Sequence, residues 1–175
     1  FNIITLGCKV NQYESEAVEE LFVQKGYEKA ANNADIYVIN TCTVTNMSDR
    51  KSRQMISRAR RDNPEAIVAV MGCYSQVKPE EVAAIEGVDI VLGSRNKENV
   101  VELCEDVLQN KGAIDKIIAP SESKTFEELQ ISNQTEMTRA YLKIQDGCNM
   151  YCSYCLIPYA RGNIVSRDIP SIVEE

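Results

Sequence analysis

Short apolar runs alternate with helical periodicity along the first two thirds of the chain. The runs at residues 3–6, 36–39, 67–71 and 89–92 predict four β-strands. The first predicted helix places Tyr13, Ala17, Val18, Leu21 and Phe22 on one face, with Asn11 as its N-cap. Further helices are predicted over about 48–61, from Pro79 onward, and over about 99–109.

Because these strands are continuously apolar and alternate with helices, they predict a parallel sheet covered on both faces. We therefore expect an α/β fold, with an N-terminal doubly wound parallel sheet and flanking helices over residues 1–112. The polar stretch 113–137 predicts a connector. Residues 138–175 predict the start of a second domain, with a strand-like run at 139–145 and the beginning of a helix at 166–175. Since the sequence starts at Phe1 and stops within a helical pattern, we expect a fragment of a longer protein.

The amino-acid composition limits the catalytic and metal-binding chemistry that the chain can carry out. The 175 residues carry a formal net charge of -7 and no histidine, which excludes histidine-based acid–base catalysis and imidazole metal ligands. The sequence contains no membrane-spanning run and no recognisable secretion signal, so we expect a cytoplasmic protein with no membrane partner. Its seven cysteines then favour metal ligation over disulfides, with zinc or iron–sulfur as the candidates.

Three of these cysteines, Cys148, Cys152 and Cys155, lie within eight residues at spacings of three and two. Three thiolates on one loop can hold a 4Fe–4S cluster and leave one iron without a protein ligand. A structural zinc site requires a fourth ligand, and this loop contains no further Cys or His. The spacing therefore favours an iron–sulfur cluster.

The loop resembles the signature of the radical S-adenosylmethionine (SAM) superfamily, in which an aromatic residue precedes the last cysteine, as Tyr154 does here. The resemblance implies that the open iron binds SAM and that an electron cleaves it to a 5′-deoxyadenosyl radical. It further implies that Tyr154 packs near the adenine, and that residues 139–145 are the first strand of a (β/α) barrel.

The other cysteines are separated in sequence. Cys8, Cys42 and Cys73 each follow the end of a different predicted strand. Since the carboxyl ends of parallel strands meet at one edge, we expect these three to form a shared metal site there. The alternative is that they are buried small hydrophobes. Cys104 lies on the apolar stripe of a predicted helix and is expected in the core.

Blocks of sequence around the cysteines of both triplets resemble the methylthiotransferase family. The blocks are Thr5-Leu-Gly-Cys8-Lys-Val-Asn-Gln-Tyr-Glu-Ser15, Asn40-Thr-Cys42-Thr-Val-Thr45, Gly72-Cys73-Tyr74, Asp146-Gly-Cys148 and Pro158-Tyr-Ala-Arg-Gly162. The resemblance implies that Cys8, Cys42 and Cys73 hold a second 4Fe–4S cluster, whose open iron carries the sulfur as a methylated sulfide. It also implies SAM and a flavodoxin-type electron donor as partners.

Within the family, the blocks are most similar to the branch that modifies threonylcarbamoyladenosine in tRNA at carbon 2. The branches that act on isopentenyladenosine or on a ribosomal-protein aspartate remain alternatives. A non-enzymatic alternative is a protein with two clusters that carries electrons or delivers clusters. A purely RNA-binding or scaffold module is a third possibility.

The predicted second helix concentrates basic residues, which form either a solvated face or a contact for tRNA phosphates. We expect the 175-residue chain to be inactive by itself.

Overall fold

The apolar runs form the centre of a parallel sheet. A computed structural model describes residues 1–43, 46–110, 117–119, 124–132 and 140–175. The strands are β1 (Asn2–Thr5), β2 (Ile36–Thr41), β3 (Ile67–Gly72), β4 (Ile90–Leu92) and β5 (Ile117–Ala119). They are parallel and lie side by side in chain order, from β1 to β5. Every residue of β2, β3 and β4 is buried, as the apolar runs 36–39, 67–71 and 90–92 predict, and in β2 the burial extends to the polar Asn40 and Thr41.

Helices cover both faces of this sheet. They are α1 (Lys9–Gln24), α2 (Asn46–Asp62), α3 (Cys73–Val77), α4 (Pro79–Ala83) and α5 (Val100–Gln109). Side chains of α1 and α5 pack on one face, and those of α2, α3 and α4 pack on the other. The predicted α/β class with a doubly covered parallel sheet is confirmed. None of the helices in the described ranges is long and apolar enough to span a bilayer.

Cys104 belongs to the core, as predicted. Its side chain is fully buried in α5 and lies in the same cluster as Phe22 and Val38. Burial, with smaller contributions from the nearby carboxylates of Asp89 and Glu105, raises the pKa of the Cys104 thiol to about 12. Cys104 therefore lies in the core, apart from the other cysteines.

The predicted N-cap role of Asn11 is wrong. Helix α1 begins at Lys9 with Cys8 as the N-cap, and no side chain caps it. The Asn11 side chain instead donates hydrogen bonds to the carbonyl oxygens of Leu6 and Thr41, at 2.9 Å each. It therefore joins the ends of β1 and β2, a tertiary role that competes with capping.

Residues in the predicted connector contact the sheet domain. Ile117–Ala119 forms β5, a strand that the sequence analysis did not anticipate. Further along, Leu129 and Ile131 pack against Tyr13 and Ala17 of α1. The Tyr13 hydroxyl donates to the Leu129 carbonyl oxygen at 2.8 Å. Residues 129–131 of the connector thus lie on α1, whereas β5 extends the sheet beside β4.

The last part of the chain carries β6 (Gln145–Asp146), α6 (Ile157–Arg161), β7 (Val165–Ser166) and α7 (Ile169–Glu174). Strands β6 and β7 pair antiparallel. Of the run predicted as a strand at 139–145, residue 139 lies outside the described residues and only Gln145 lies in a strand. Helix α7 has Pro170 in its first turn as predicted, although it begins at Ile169 and not near 166. The barrel assignment and the domain boundaries stay predictions.

Phe22 provides a test of the core. It is fully buried, stacks on Phe1 with ring centroids 4.7 Å apart, and contacts the edge of Tyr27. Replacing it (Phe22→Ala) is expected to lower the free energy of unfolding by about 3–5 kcal/mol, because a cavity remains beneath the sheet. The neighbouring Val23 is 56% exposed, so Val23→Ala is the control and is expected to change stability by less than about 0.5 kcal/mol. Urea unfolding measures both, and equal effects would contradict this packing.

Candidate functional site

Three cysteines lie at one edge of the sheet. Cys8 follows β1, Cys42 follows β2, and Cys73 begins α3 directly after β3. These strands are neighbours and parallel, so their carboxyl ends meet. Cys42 and Cys73 are 6% and 4% exposed, whereas Cys8 is exposed. The structure therefore brings the three to the edge where the sequence places them, and their role as ligands stays a prediction.

The turn before Cys8 packs directly on Cys42. Gly7 has a φ of 107°, and a Cβ built on it would lie 2.6 Å from the Cβ of Cys42 and 3.0 Å from its sulfur. Only glycine allows this approach. Burial raises the pKa of the Cys73 thiol, and among the charges acting on that thiol are Arg161, which lowers the pKa, and Cys42, which raises it.

The second triplet lies on the loop between β6 and α6. Cys148 and Cys155 are half-buried and Cys152 is exposed. The loop is closed by the Cys148 amide, which donates to the Gly162 carbonyl oxygen at 3.0 Å, and by the Cys155 amide, which donates to Cys152 at 2.9 Å. Tyr154 is 89% exposed on this loop. Its predicted contact with the SAM adenine is therefore sterically open, and it stays a prediction.

The cysteines are grouped by position and not as a preformed site for one ion. Among the residues that the structure describes, no three Cys, Asp or Glu side chains are arranged as ligands of a single metal ion. This geometry therefore does not decide between zinc and an iron–sulfur cluster, although a structural zinc site would need a fourth ligand beside either triplet. Two sets of three thiolates, in a chain without histidine, fit the thiolate donor set of iron–sulfur clusters.

A buried ionic network lies between the two triplets. Glu14 of α1 is fully buried and accepts hydrogen bonds from Lys143 at 2.7 Å and from Arg161 at 2.8 Å, and Lys97 lies 3.4 Å away. Asp146 pairs with Lys143 at 2.9 Å and with Arg161 at 3.2 Å. Glu127 completes the network by pairing with Lys97 at 3.0 Å. Three carboxylates thus balance three cations, and all six side chains are buried.

The charges of this network hold one another in the ionised state. Burial by itself would raise the pKa of Glu14, but Arg161, Lys97 and Lys143 more than offset burial and hold that pKa well below its ordinary value. In the same way, Arg161 and Lys143 overcome the effect of burial and lower the pKa of Asp146. Glu14 and Asp146 therefore remain ionised at neutral pH and form true ion pairs with the neighbouring cations.

Arg161 connects both triplets through this network. One of its terminal nitrogens donates to the Oδ1 of Asn11 at 2.8 Å, and the Cys8 sulfur lies 3.5 Å from the same oxygen. Its other terminal nitrogen contacts Asp146, two residues before Cys148. A continuous path of polar contacts thus runs from the edge of the sheet to the second cysteine loop.

A second set of contacts supports the same junction. The Ser94 hydroxyl donates to the Ala160 carbonyl oxygen at 2.6 Å, and Arg95 donates to the Asn163 carbonyl oxygen at 2.7 Å. Helix α3, which begins at Cys73, packs against α6. The segment that follows the second loop is therefore seated on the carboxyl ends of β3 and β4.

Sequence reasoning singled out Arg161 but missed Glu14, Lys97 and Lys143. A signal was present in α1: Glu14 lies three and four positions before Ala17 and Val18, on the face that packs inward. A carboxylate at an inward position needs a buried cation. Nothing in the sequence shows which cations meet it, since Lys97 and Lys143 come from distant segments.

Helix α2, which carries the cluster of basic residues, does not lead toward the cysteines. Arg60 hydrogen-bonds the carbonyl oxygens of Ala66 and Gly87 and pairs with Asp89 at 2.8 Å, so its role is structural. Helix α2 starts near Cys42 and runs away from it, which places Arg58 about 18 Å along the helix from its first residue. The exposed basic residues of this helix are Arg50, Lys51, Arg53, Arg58 and Arg61. A contact of this face with tRNA stays a prediction.

A parallel α/β domain that gathers three cysteines at one edge, joined to a loop with three more, defines the class of the protein as a candidate iron–sulfur protein. Residues 1–93 match the model of Uncharacterized protein family UPF0004. This match covers more than half of the 175 residues, and the chain belongs to that family.

Similar proteins carry names from the methylthiotransferase family, which confirms the resemblance inferred from the cysteine blocks. The threonylcarbamoyladenosine tRNA methylthiotransferase MtaB of Bacillus subtilis is 46% identical over 98% of this chain and 38% of its own length. The protein of the same name from Aquifex aeolicus is 43% identical over 98% of this chain and 42% of its own. The tRNA-2-methylthio-N(6)-dimethylallyladenosine synthase of Methylacidiphilum infernorum is 32% identical over 99% of this chain and 39% of its own length. The chain spans about two fifths of the length of these relatives.

The network predicts a large effect of removing its central carboxylate. Glu14→Ala leaves three buried cations with too little negative charge and is expected to lower the free energy of unfolding by about 3–5 kcal/mol. Glu19 lies on the same helix and pairs with Lys29 at the surface, where the two side chains are 31% and 42% exposed. Glu19→Ala is therefore expected to cost less than about 1 kcal/mol. Denaturant unfolding compares the two variants, and similar losses would show that the network is not what stabilises the junction.

Proposed function

We propose that this chain is part of an enzyme that transfers a methylthio group to carbon 2 of threonylcarbamoyladenosine in tRNA. The observation that carries the proposal is the pair of cysteine triplets joined by one buried network, because the reaction requires a radical source and a sulfur source beside one substrate. Support for the branch comes from four relatives named for threonylcarbamoyladenosine, at 34–46% identity over 98–100% of the chain.

In this proposal, each triplet holds one 4Fe–4S cluster. Cys148, Cys152 and Cys155 would hold the cluster that binds SAM. The second cluster would be held by Cys8, Cys42 and Cys73. When bound, the clusters supply the electron that cleaves SAM and an iron that carries sulfur. The donor set fits, since each triplet offers three thiolates and the histidine-free chain offers no competing imidazole.

The residues of this chain would supply position and exclude water. Arg161 and Glu14 link the helix after Cys8 to the segment after Cys155, and both are buried. A rigid link of this kind keeps reacting groups at a fixed separation, which is how an enzyme replaces an encounter by a unimolecular step. Cys42 and Cys73 are nearly inaccessible, whereas the loop of Cys152 and Tyr154 is open to a small molecule.

Cysteine variants of the full-length protein test the assignment. After anaerobic reconstitution, Cys152→Ala is expected to lose both 5′-deoxyadenosine formation from SAM and the methylthio product in tRNA. Cys42→Ala is expected to retain 5′-deoxyadenosine formation, lose the methylthio product and bind about half of the wild-type iron. Chromatography of the nucleosides and an iron assay measure these outcomes.

The matched control is Cys104→Ala, since Cys104 is buried in the core away from both triplets. It is expected to retain the iron, the SAM cleavage and the methylthio product. Retention of the methylthio product by Cys42→Ala would refute the role of the first triplet. A wild-type protein that binds iron but forms no 5′-deoxyadenosine would instead favour an electron or cluster carrier.

A further inference from the structure

A cavity opens between the end of β4 and the segment that follows the second cysteine loop. Its volume is about 370 Å³, which is sufficient for a group of nucleoside size. Among its lining residues are Ser94, Arg95, Lys124, Tyr151, Tyr159 and Asn163. In the part of the chain that the structure describes, the lining contains no Asp or Glu. A cavity with cations and no carboxylates is unusual in a chain of net charge -7.

Arg95 differs from every other buried cation of the described residues. The others lie beside carboxylates: Lys97 beside Glu127, Lys143 and Arg161 beside Glu14, and Arg167 beside Glu128. Arg95 is only 4% exposed, yet its partner is the neutral carbonyl oxygen of Asn163. Its Nε is buried without any hydrogen-bond partner.

This arrangement leaves Arg95 poised for an anion. Burial removes a guanidinium from water, and one carbonyl oxygen restores only part of the lost solvation. A guanidinium presents its donors in a planar fork that matches the oxygens of a carboxylate or a phosphate. Arg161 also lines the cavity, but Glu14, Asp146 and Asn11 already occupy its donors. The buried cation that remains available is therefore Arg95, and the exposed Lys124 lines the same cavity.

The position of Arg95 links the cavity to the second cysteine loop. Its guanidinium lies against the backbone of Gly147, where an added Cβ would be 2.6 Å from one of the terminal nitrogens. Gly147 immediately precedes Cys148 and has a φ of 82°. An anion held by Arg95 thus lies beside the base of the loop that carries the radical-forming triplet of the proposed enzyme.

We propose that Arg95 and its cavity bind an oxyanion of the RNA substrate next to the target adenine. That oxyanion is the carboxylate of the threonylcarbamoyl group or a neighbouring backbone phosphate. The choice of RNA as the source rests on the proposed function, whereas the anion chemistry rests on a buried guanidinium that has no carboxylate partner among the described residues. A site of this kind would distinguish an anionic adenosine substituent from the uncharged isopentenyl group.

The test measures RNA binding by the full-length protein, separately from catalysis. Two synthetic anticodon stem-loops are compared by fluorescence anisotropy at fixed salt: one with threonylcarbamoyladenosine, the other with its carboxylate converted to a neutral amide. The wild type is expected to bind the carboxylate RNA about 10- to 100-fold more tightly, the usual range for a charge-assisted hydrogen bond. Arg95→Gln is expected to abolish that preference, and Arg95→Lys to retain part of it.

Each result of the binding comparison either identifies the bound anion or overturns the proposal. Loss of the preference in Arg95→Gln identifies the carboxylate. Equal binding of both RNAs by the wild type, with equal weakening in Arg95→Gln, identifies a phosphate. Unchanged binding of both RNAs by Arg95→Gln overturns the proposal. The matched control is Arg60→Gln, because Arg60 is partly buried but pairs with Asp89 at the opposite end of the strands, and it is expected to leave RNA binding unchanged.

Two further measurements separate the alternatives to binding. Thermal unfolding of Arg95→Gln without RNA is expected at most a few degrees below the wild type, since the variant loses the hydrogen bond to Asn163 but no carboxylate partner among the described residues. If Arg95→Gln does not fold, Arg95→Lys alone decides, and an unaltered preference in that variant overturns the fork-like contact. Absence of a methylthio product with the wild type would refute the proposed function, while the binding comparison would still test the anion site.

Discussion

The junction between the parallel sheet and the second cysteine loop depends on one buried group of charges. Glu14, Asp146 and Glu127 lie out of water together with Lys97, Lys143 and Arg161. Such a group is stable only when every member has its partners, because a single unpaired charge in this environment is costly. The network is therefore intolerant of a shifted loop, and this property makes it suited to holding two cysteine sites in one relative position.

The two sites differ in their environment as well as in their sequence spacing. Cys42 and Cys73 are almost inaccessible at the end of the sheet, and only Cys8 of that triplet is exposed. Cys152 lies on an exposed loop with Tyr154. A protected site suits a group that must not react with solvent, whereas an open site suits a small molecule that enters and leaves. This difference parallels the separate roles that the family resemblance implies for the two triplets.

Much of the sheet could be predicted because its physical cause is local. The runs at 36–39 and 67–71 are continuously apolar, and parallel strands place the following cysteines at one edge. The strand at 117–119 was missed, since three residues within a polar stretch become a strand only when β4 pairs with them. The N-cap prediction for Asn11 failed for a similar reason. Its side-chain amide hydrogen-bonds the backbone at the ends of two strands, which only the folded chain brings together. The partners of Glu14 in the ionic network could not be predicted from the sequence, because no local pattern links Glu14 to Lys143, which lies 129 positions away.

The central claim is that Glu14 and Arg161 interact directly and strongly across the junction. A double-mutant cycle with Glu14→Gln and Arg161→Gln, followed by urea unfolding, measures that interaction. The predicted coupling is at least about 2 kcal/mol, with the double variant less destabilised than the sum of the single variants, because removing both charges leaves neither one unpaired. Single effects that add to within about 0.5 kcal/mol would show that the two side chains are independent, and would contradict the account.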